Sequence, residues 1–356
     1  VGRVTDALDA LDGFESTDPA LTVAALMCRG LAELDRGRPD VAVATLSAAV
    51  ARADESGHPV LQAFPRGKLA FSMWRLGRAG LRPIVEEALA RLPEEVDPLI
   101  RADVGFVLGV EALHEGRVDE AVPYYERFLA AAEASREPAA QMGIYGNMGI
   151  LRRAQGRAED AIEWCRRAIA LARDLHDRTL EVTNAITLAT LLFETGQRDD
   201  GLALASSNHA ATKALGARRP HVWFTHLLVI ALLAEGDVDG AAALCVLSED
   251  DLRTDRRGRA TYLGGLACVS AARGAIDEAD NGLAEVRAEA EALHDLPVDE
   301  AVAAFSAWVE VQRARHGRGH RDAQLAAARA RADTLRGLWS RFADRVRRMA
   351  DEVEAG

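Results

Sequence analysis

Asn147-Met148-Gly149-Ile150-Leu151 is followed by a turn at Gln155-Gly156-Arg157, then by Glu159-Asp160-Ala161-Ile162 and Ala168-Ile169-Ala170-Leu171. Apolar and small residues recur every three or four positions on both sides of a single glycine. That is the pattern of two amphipathic helices joined by a tight turn. The turn recurs outward from this stretch. Glycines flanked by polar residues stand at 37, 77, 116, 156, 196, 236, 274 and, in a weaker form, 317, at spacings of 40, 39, 40, 40, 40, 38 and 43. A second marker runs with the first. Gly30/Ala42, Gly109/Ala121, Gly149/Ala161, Ala189/Gly201 and Ala267/Ala279 are small pairs twelve residues apart, with Val229/Ala241 a looser sixth. Antiparallel helices need small residues where their backbones cross, and the glycine supplies a C-cap of positive φ.

This periodicity predicts helix pairs at 19–36 and 39–56, 60–76 and 81–92, 98–115 and 119–135, and 138–155 and 159–176. The pairs continue at 178–195 and 199–216, 220–235 and 238–248, 257–273 and 277–294, and 298–315 and 320–336. Pro19, Pro59, Pro98, Pro138, Pro220 and Pro297 fall between units, where a helix has to start. Composition agrees: 49% of the 356 residues are hydrophobic and only 5% aromatic, and Ala, Leu, Arg and Glu dominate. The chain is expected to be all-α. It lacks an apolar run long enough for a membrane helix and a secretory leader at its first residue. Four cysteines without a C-x-x-C pair argue against a disulfide framework and a zinc site, so a reducing cytoplasm is the expected compartment. A net charge of −12 argues against wrapping nucleic acid.

Residues 147–171, together with Val118-Asp119-Glu120-Ala121-Val122-Pro123-Tyr124-Tyr125 and Ile276-Asp277-Glu278-Ala279, resemble the tetratricopeptide repeat (TPR). The resemblance spans nearly the whole chain and implies a right-handed α-solenoid of about eight repeats. Arg82 departs from it in the second unit, and Glu310 and Asp322 in the eighth, so loose or tilted packing is expected there. A single solenoid is expected over 1–356: the second helix of a truncated repeat at 1–18, eight repeats at 19–336, and a capping helix at 337–356. Gly2 and Ala7 repeat the turn spacing, from which a fragment of a longer chain is expected; a natural capping helix is the rival reading. In the last segment Trp339, Phe342, Val346 and Met349 share one face, suited to covering the end of a stack.

Catalytic patterns are missing. The sequence contains no G-x-S-x-G, H-E-x-x-H or G-x-x-x-x-G-K-[ST] motif, so no enzyme activity, no cofactor and no metal are expected. His316 and His320 are separated by Gly317 and Gly319, which makes a loop rather than a two-histidine helix face. Cys165 sits where the repeat buries a helix-B side chain and is expected to be a core thiol. From Gln312 to Met349 there are eleven arginines against three aspartates. That segment is either a solvated helix surface or a contact for an acidic partner.

What a solenoid offers is a surface. Counting back from each turn glycine places Lys68, Phe71, Trp74, His114, Asn147, Arg153, Phe193, Trp223, His226, Trp308 and Arg315 on the inner face of the first helices. Packing between neighbouring first helices is the competing role for the apolar residues at these positions. The small residues Thr261, Gly264, Gly265 and Cys268 predict a roomy groove in the seventh unit. In similar repeats an asparagine at the place of Asn147 often bonds the backbone of a bound peptide. The period and composition also resemble the C-terminal TPR sensor region of large ATP-binding LuxR- or MalT-type bacterial regulators. The resemblance implies a non-catalytic module that binds a protein, a peptide or a small effector in its concave groove, fused to an effector domain in the native chain. No membrane association and no direct nucleic-acid contact are expected. Alternatives are a stand-alone scaffold and the TPR region of a CHAT-type protease.

Overall fold

The turn glycines build the architecture. In the computed structural model, which describes residues 8, 10–11, 13–14, 16–35, 38–253 and 255–355, Gly77, Gly116, Gly156, Gly196, Gly236, Gly274 and Gly317 all have φ between +63° and +86°. At Gly156 the N–H donates to Arg153 O at 2.9 Å, and Arg157 N–H to Arg152 O at 2.8 Å. The second of these is the closing bond of a Schellman cap. The same residue-to-fifth-preceding bond recurs at Arg78, Arg117, Asp237, Ala275 and Arg318. Gly2, Ala7 and Gly37, on which the half-repeat and the first turn were read, lie outside the described residues.

The described residues form eighteen α-helices and one 3₁₀ turn, with no strand. The protein is a TPR-type α-solenoid. Its chain divides into two compact units, residues 1–181 with 215–219 and 253–256, and residues 182–214, 220–252 and 257–356.

The first unit contains four helix pairs: α1 (Pro19–Asp35) with α2 (Pro39–Glu55), α3 (Pro59–Arg75) with α4 (Leu81–Arg91), α5 (Pro98–His114) with α6 (Val118–Ser135), and α7 (Pro138–Ala154) with α8 (Ala158–Asp174). Proline opens α2, α3, α5 and α7, at a position whose N–H has no helical partner anyway. Acidic pairs in the first turns of α6 and α8, Asp119-Glu120 and Glu159-Asp160, complement the helix dipole. The small-residue pairs do close the helices: a Cβ on Gly149 would lie 2.5 Å from the sulfur of Cys165. Cys165 itself is fully buried. In the second repeat, α4 is cut to eleven residues. There Arg82 donates to Glu111 at 3.2 Å instead of packing.

In the second unit lie most of α9 (Arg178–Glu194), α10 (Arg198–Leu215), α11 (Arg218–Glu235) and α14 (Arg256–Ala272), with α12 (Val238–Leu244), α13 (Glu249–Leu252), α15 (Ile276–Leu293), α16 (Leu296–Arg315), α17 (Arg321–Thr334) and α18 (Ser340–Ala355). The helix expected over 238–248 stops at Leu244. Ser248 and Asp251 form a reciprocal capping box, with Asp251 N–H donating to Ser248 Oγ at 3.3 Å and Ser248 N–H to Asp251 Oδ2 at 3.1 Å. That box starts a new helix and so ends the old one. The eighth repeat packs tightly despite Glu310 and Asp322. Leu325, Ala328 and Ala332 of α17 are buried, and Arg313 takes up Glu310 at 2.9 Å. A buried ion pair, Arg257–Asp295 at 2.6 Å, ties α14 to the start of α16. There Asp295 also accepts from Val298 N–H at 3.2 Å as the N-cap.

Candidate functional site

In the first unit, Phe71, Trp74 and His114 come together on α3 and α5 beside Lys68, while Asn147 and Arg153 stand on α7. Lys68 reaches Asp103 at 2.8 Å and lies 4.9 Å from the Phe64 ring centre. Phe71 and Trp74 rings are 5.6 Å apart, and the Trp74 and His114 rings meet edge-on at 4.9 Å. All four side chains are half-buried. Trp74 packs at once against the cluster around Val104 and Leu108 and against the one around Phe106 and Met148. The outcome is a part-open aromatic strip whose one cation is already matched by a carboxylate. Asn147 is half-buried on α7, and its amide donates to Gly143 O of its own helix at 2.8 Å. Its donor is thus held by the backbone one turn earlier. Arg153 is half-buried near the end of the same helix. Burial pushes the Cys165 thiol up to about 12, which suits a packing role.

The second unit is different because its own C-terminus covers the face. Residues 337–355 do not merely close the end of the stack. Trp339 packs on His226 at 6.0 Å and on Phe305 at 5.3 Å, and Phe342 on Trp308 at 5.1 Å. Leu338 N–H donates to Glu194 at 3.2 Å, 144 residues back in the chain. In a simple array each repeat meets only its neighbours. Here the last segment reaches back to α11 and to the end of α9.

Two residues expected in an open groove are therefore corrected. Trp308 is 1% exposed and donates its indole N–H to Cys268 O at 3.1 Å. His226 is 2% exposed, and burial pushes its imidazole down to about 3. Both pack against the covering segment and belong to the core. The roomy groove expected in the seventh unit is also corrected. A Cβ at Gly264 would stand 2.0 Å from Phe305. The glycine therefore admits the aromatic ring, and the space is filled. Trp223 stays half-buried, with its ring 6.0 Å from His226. Arg315 is exposed and pairs with Glu352 of α18 at 2.8 Å.

Phe193 is half-buried and opens onto a cavity of about 730 Å³. Leu227, Ile230, Ala231 and Ala234 of α11 form one wall of it, and Leu338 and Phe342 another. Its rim carries Glu194, Arg198, Glu235, Arg341, Asp344 and Arg348. Sequence reading missed the part of α18. The available signal was Arg341 and Arg348, seven residues apart beside the Phe342 and Val346 stripe. Most of the other arginines of the basic segment are neutralised within the chain: Arg313 by Asp280, Arg329 by Asp351 and Arg347 by Asp333 and Asp344. Among the described residues no group of three or more His, Cys, Asp or Glu converges as a metal site, and no helix is long and apolar enough to cross a membrane.

The family described as the MalT-like TPR region matches residues 63–260, more than half of the chain. The chain belongs to that family. No curated protein matches this sequence. Among solved structures, a Rap protein complexed with competence and sporulation factor has 11% identity and a TM-score of 0.63, over 94% of this chain and 96% of that one. Aspartyl phosphate phosphatase F from Bacillus subtilis has 17% identity and a TM-score of 0.54, over 76% of this chain and 70% of that one. A signal-transduction ATPase with a tetratricopeptide repeat sensor, from Pyrococcus horikoshii, has 12% identity and a TM-score of 0.55. This chain aligns with it over 98% of its own length and 54% of the ATPase. At these identities the likeness is one of fold. Members of this MalT-like TPR family share a repeat architecture suited to protein interaction.

Proposed function

We propose that this chain is the sensor or regulatory region of a larger signalling protein, and that it binds a protein or peptide partner on the first helices of its repeats. The observation that carries the reading is the part-open strip of Lys68, Phe71, Trp74 and His114 on α3 and α5. Bulky amphipathic rings beside a fixed charge suit peptide recognition. The family match supports a regulatory setting. So do the fold neighbours, one a signal-transduction ATPase with a tetratricopeptide repeat sensor and another a Rap protein complexed with competence and sporulation factor. On this reading the partner shifts an attached effector domain, such as a transcription-regulatory ATPase, between two states by binding one of them more tightly. Lys68, Phe71, Trp74, His114, Asn147 and Arg153 form the partner surface of the first unit. Phe193, Trp223 and Arg315 are candidates on the second.

Site-specific photo-crosslinking in cells tests it. A photoreactive residue at position 71 or 147 should capture a discrete partner, while one at Glu163 or Arg167, exposed on α8, should not. Capture from α8 alone, or equally from both sets, would refute the assignment.

A further inference from the structure

We infer that the cavity of the second unit is a binding site for a carboxylate-bearing ligand with an apolar body. The inference extends the binding-module reading to a small ligand. It does not depend on the first unit's partner surface, because it is measured on the chain alone.

The first support is size and lining. A cavity of about 730 Å³ lies within the roughly 300–1,000 Å³ of typical small-molecule sites. Phe193, Leu227, Ile230, Leu338 and Phe342 give this half-open space an apolar wall, and much of the rest of its lining is polar. Neighbouring packing does not fill it, unlike the space beside Gly264.

The second support is the pairing at the rim, where three acidic residues face three arginines. Each acidic group there has a partner, Glu235 and Asp344 an arginine and Glu194 a backbone N–H that leaves its charge in place. Glu194 accepts from Leu338 N–H at 3.2 Å, Glu235 pairs with Arg198, and Asp344 pairs with Arg347 at 2.7 Å. Among the described residues, Arg341 and Arg348 on the same rim have neither an ion pair nor a hydrogen bond. They stand seven residues apart on α18. Two helical turns keep them on one face, about 10.5 Å apart along the axis. Arginine is the side chain best suited to planar recognition of a carboxylate. Two guanidiniums without a partner beside an apolar wall favour an anion with an apolar body over a neutral molecule of the same shape.

Two sources share this chemistry: the free C-terminus of a short apolar peptide and a small organic acid. Calorimetric titration of the whole chain separates them, with N-acetyl-Leu-Phe as free acid and as amide, and octanoate beside octanol. At least one acid should bind saturably below about 1 mM, and its neutral counterpart about tenfold more weakly or worse. The acid that binds names the source. The double variant Arg341→Gln/Arg348→Gln should abolish the preference for the acid. Both side chains are exposed, so circular dichroism and thermal melting should be unchanged. Ala231→Phe, at a half-exposed lining position, should weaken acid and neutral probes together by filling the chamber. The inference is overturned if neither acid binds, if the neutral analogues bind equally well, or if the arginine variant keeps the preference.

Discussion

The first helices of the two units differ in what covers them. In the first unit, α3 and α5 present Phe71, Trp74 and His114 half-buried. In the second, α11 and α16 present His226 and Trp308 ten and nine residues before their turn glycines, near the register of Lys68, and both are buried beneath Trp339 and Phe342. The same counting rule located both sets. What separates them is a segment that follows the last repeat. Repeat position fixes which way a side chain points; a later part of the chain decides whether it meets solvent.

Removing the covering aromatic should have the largest effect. Phe342 is fully buried among Trp308, Trp339 and Phe305. Phe342→Ala should cost about 3–5 kcal/mol, as for other fully buried phenylalanines. Denaturant unfolding followed through the tryptophans would show it, and a loss under about 1 kcal/mol would mean the covering segment packs loosely. Trp74→Ala should cost less, about 1–3 kcal/mol, because the ring is only half-buried yet joins two core clusters. It should also remove partner capture from position 71. Full stability with undiminished capture would remove Trp74 from both roles.

The smallest contrast is in pH dependence. Burial pushes His226 down to about 3, and burial with the nearby His221 pushes His209 to about 4, both from 6.5. The unfolded chain takes up these protons near pH 6.5, and the native chain only well below that. Stability from the neutral histidines is therefore complete above pH 6.5 and lost as pH falls towards 4 and 3. In the first unit Asp54 shifts in the same direction but within the carboxylate range: its hydrogen bond to Arg66 lowers it from 3.8, so its contribution persists until the solution is more acidic than that. Urea midpoints at pH 7 and pH 5 should fall for the wild type and fall less for His226→Leu. Equal falls would show that His226 is not a source of the acid sensitivity.

Much of the fold was legible because turn chemistry is local. The turn at Gly156 needs a positive φ that glycine adopts without strain, and Pro138 starts a helix by its own geometry. The core role of Cys165 followed from its register alone. The break after Leu244 was harder, since it depends on a competing cap at Ser248 and Asp251 that the repeat period hides. The covering of His226 was not legible at all. It joins residues 113 positions apart, Trp339 to His226, and nothing in either local pattern names the other. The cavity is hidden for the same reason, since its walls come from α9, α11 and α18.

The most direct test of this contrast is hydrogen exchange on the chain ended after Arg336. The account predicts lost protection in 223–234 and 305–312, the segments under Trp339 and Phe342, with 63–75 and 104–113 unchanged. Unaltered protection in 223–234 and 305–312 would contradict it, and would return residues 337–355 to the simple role of an end cap.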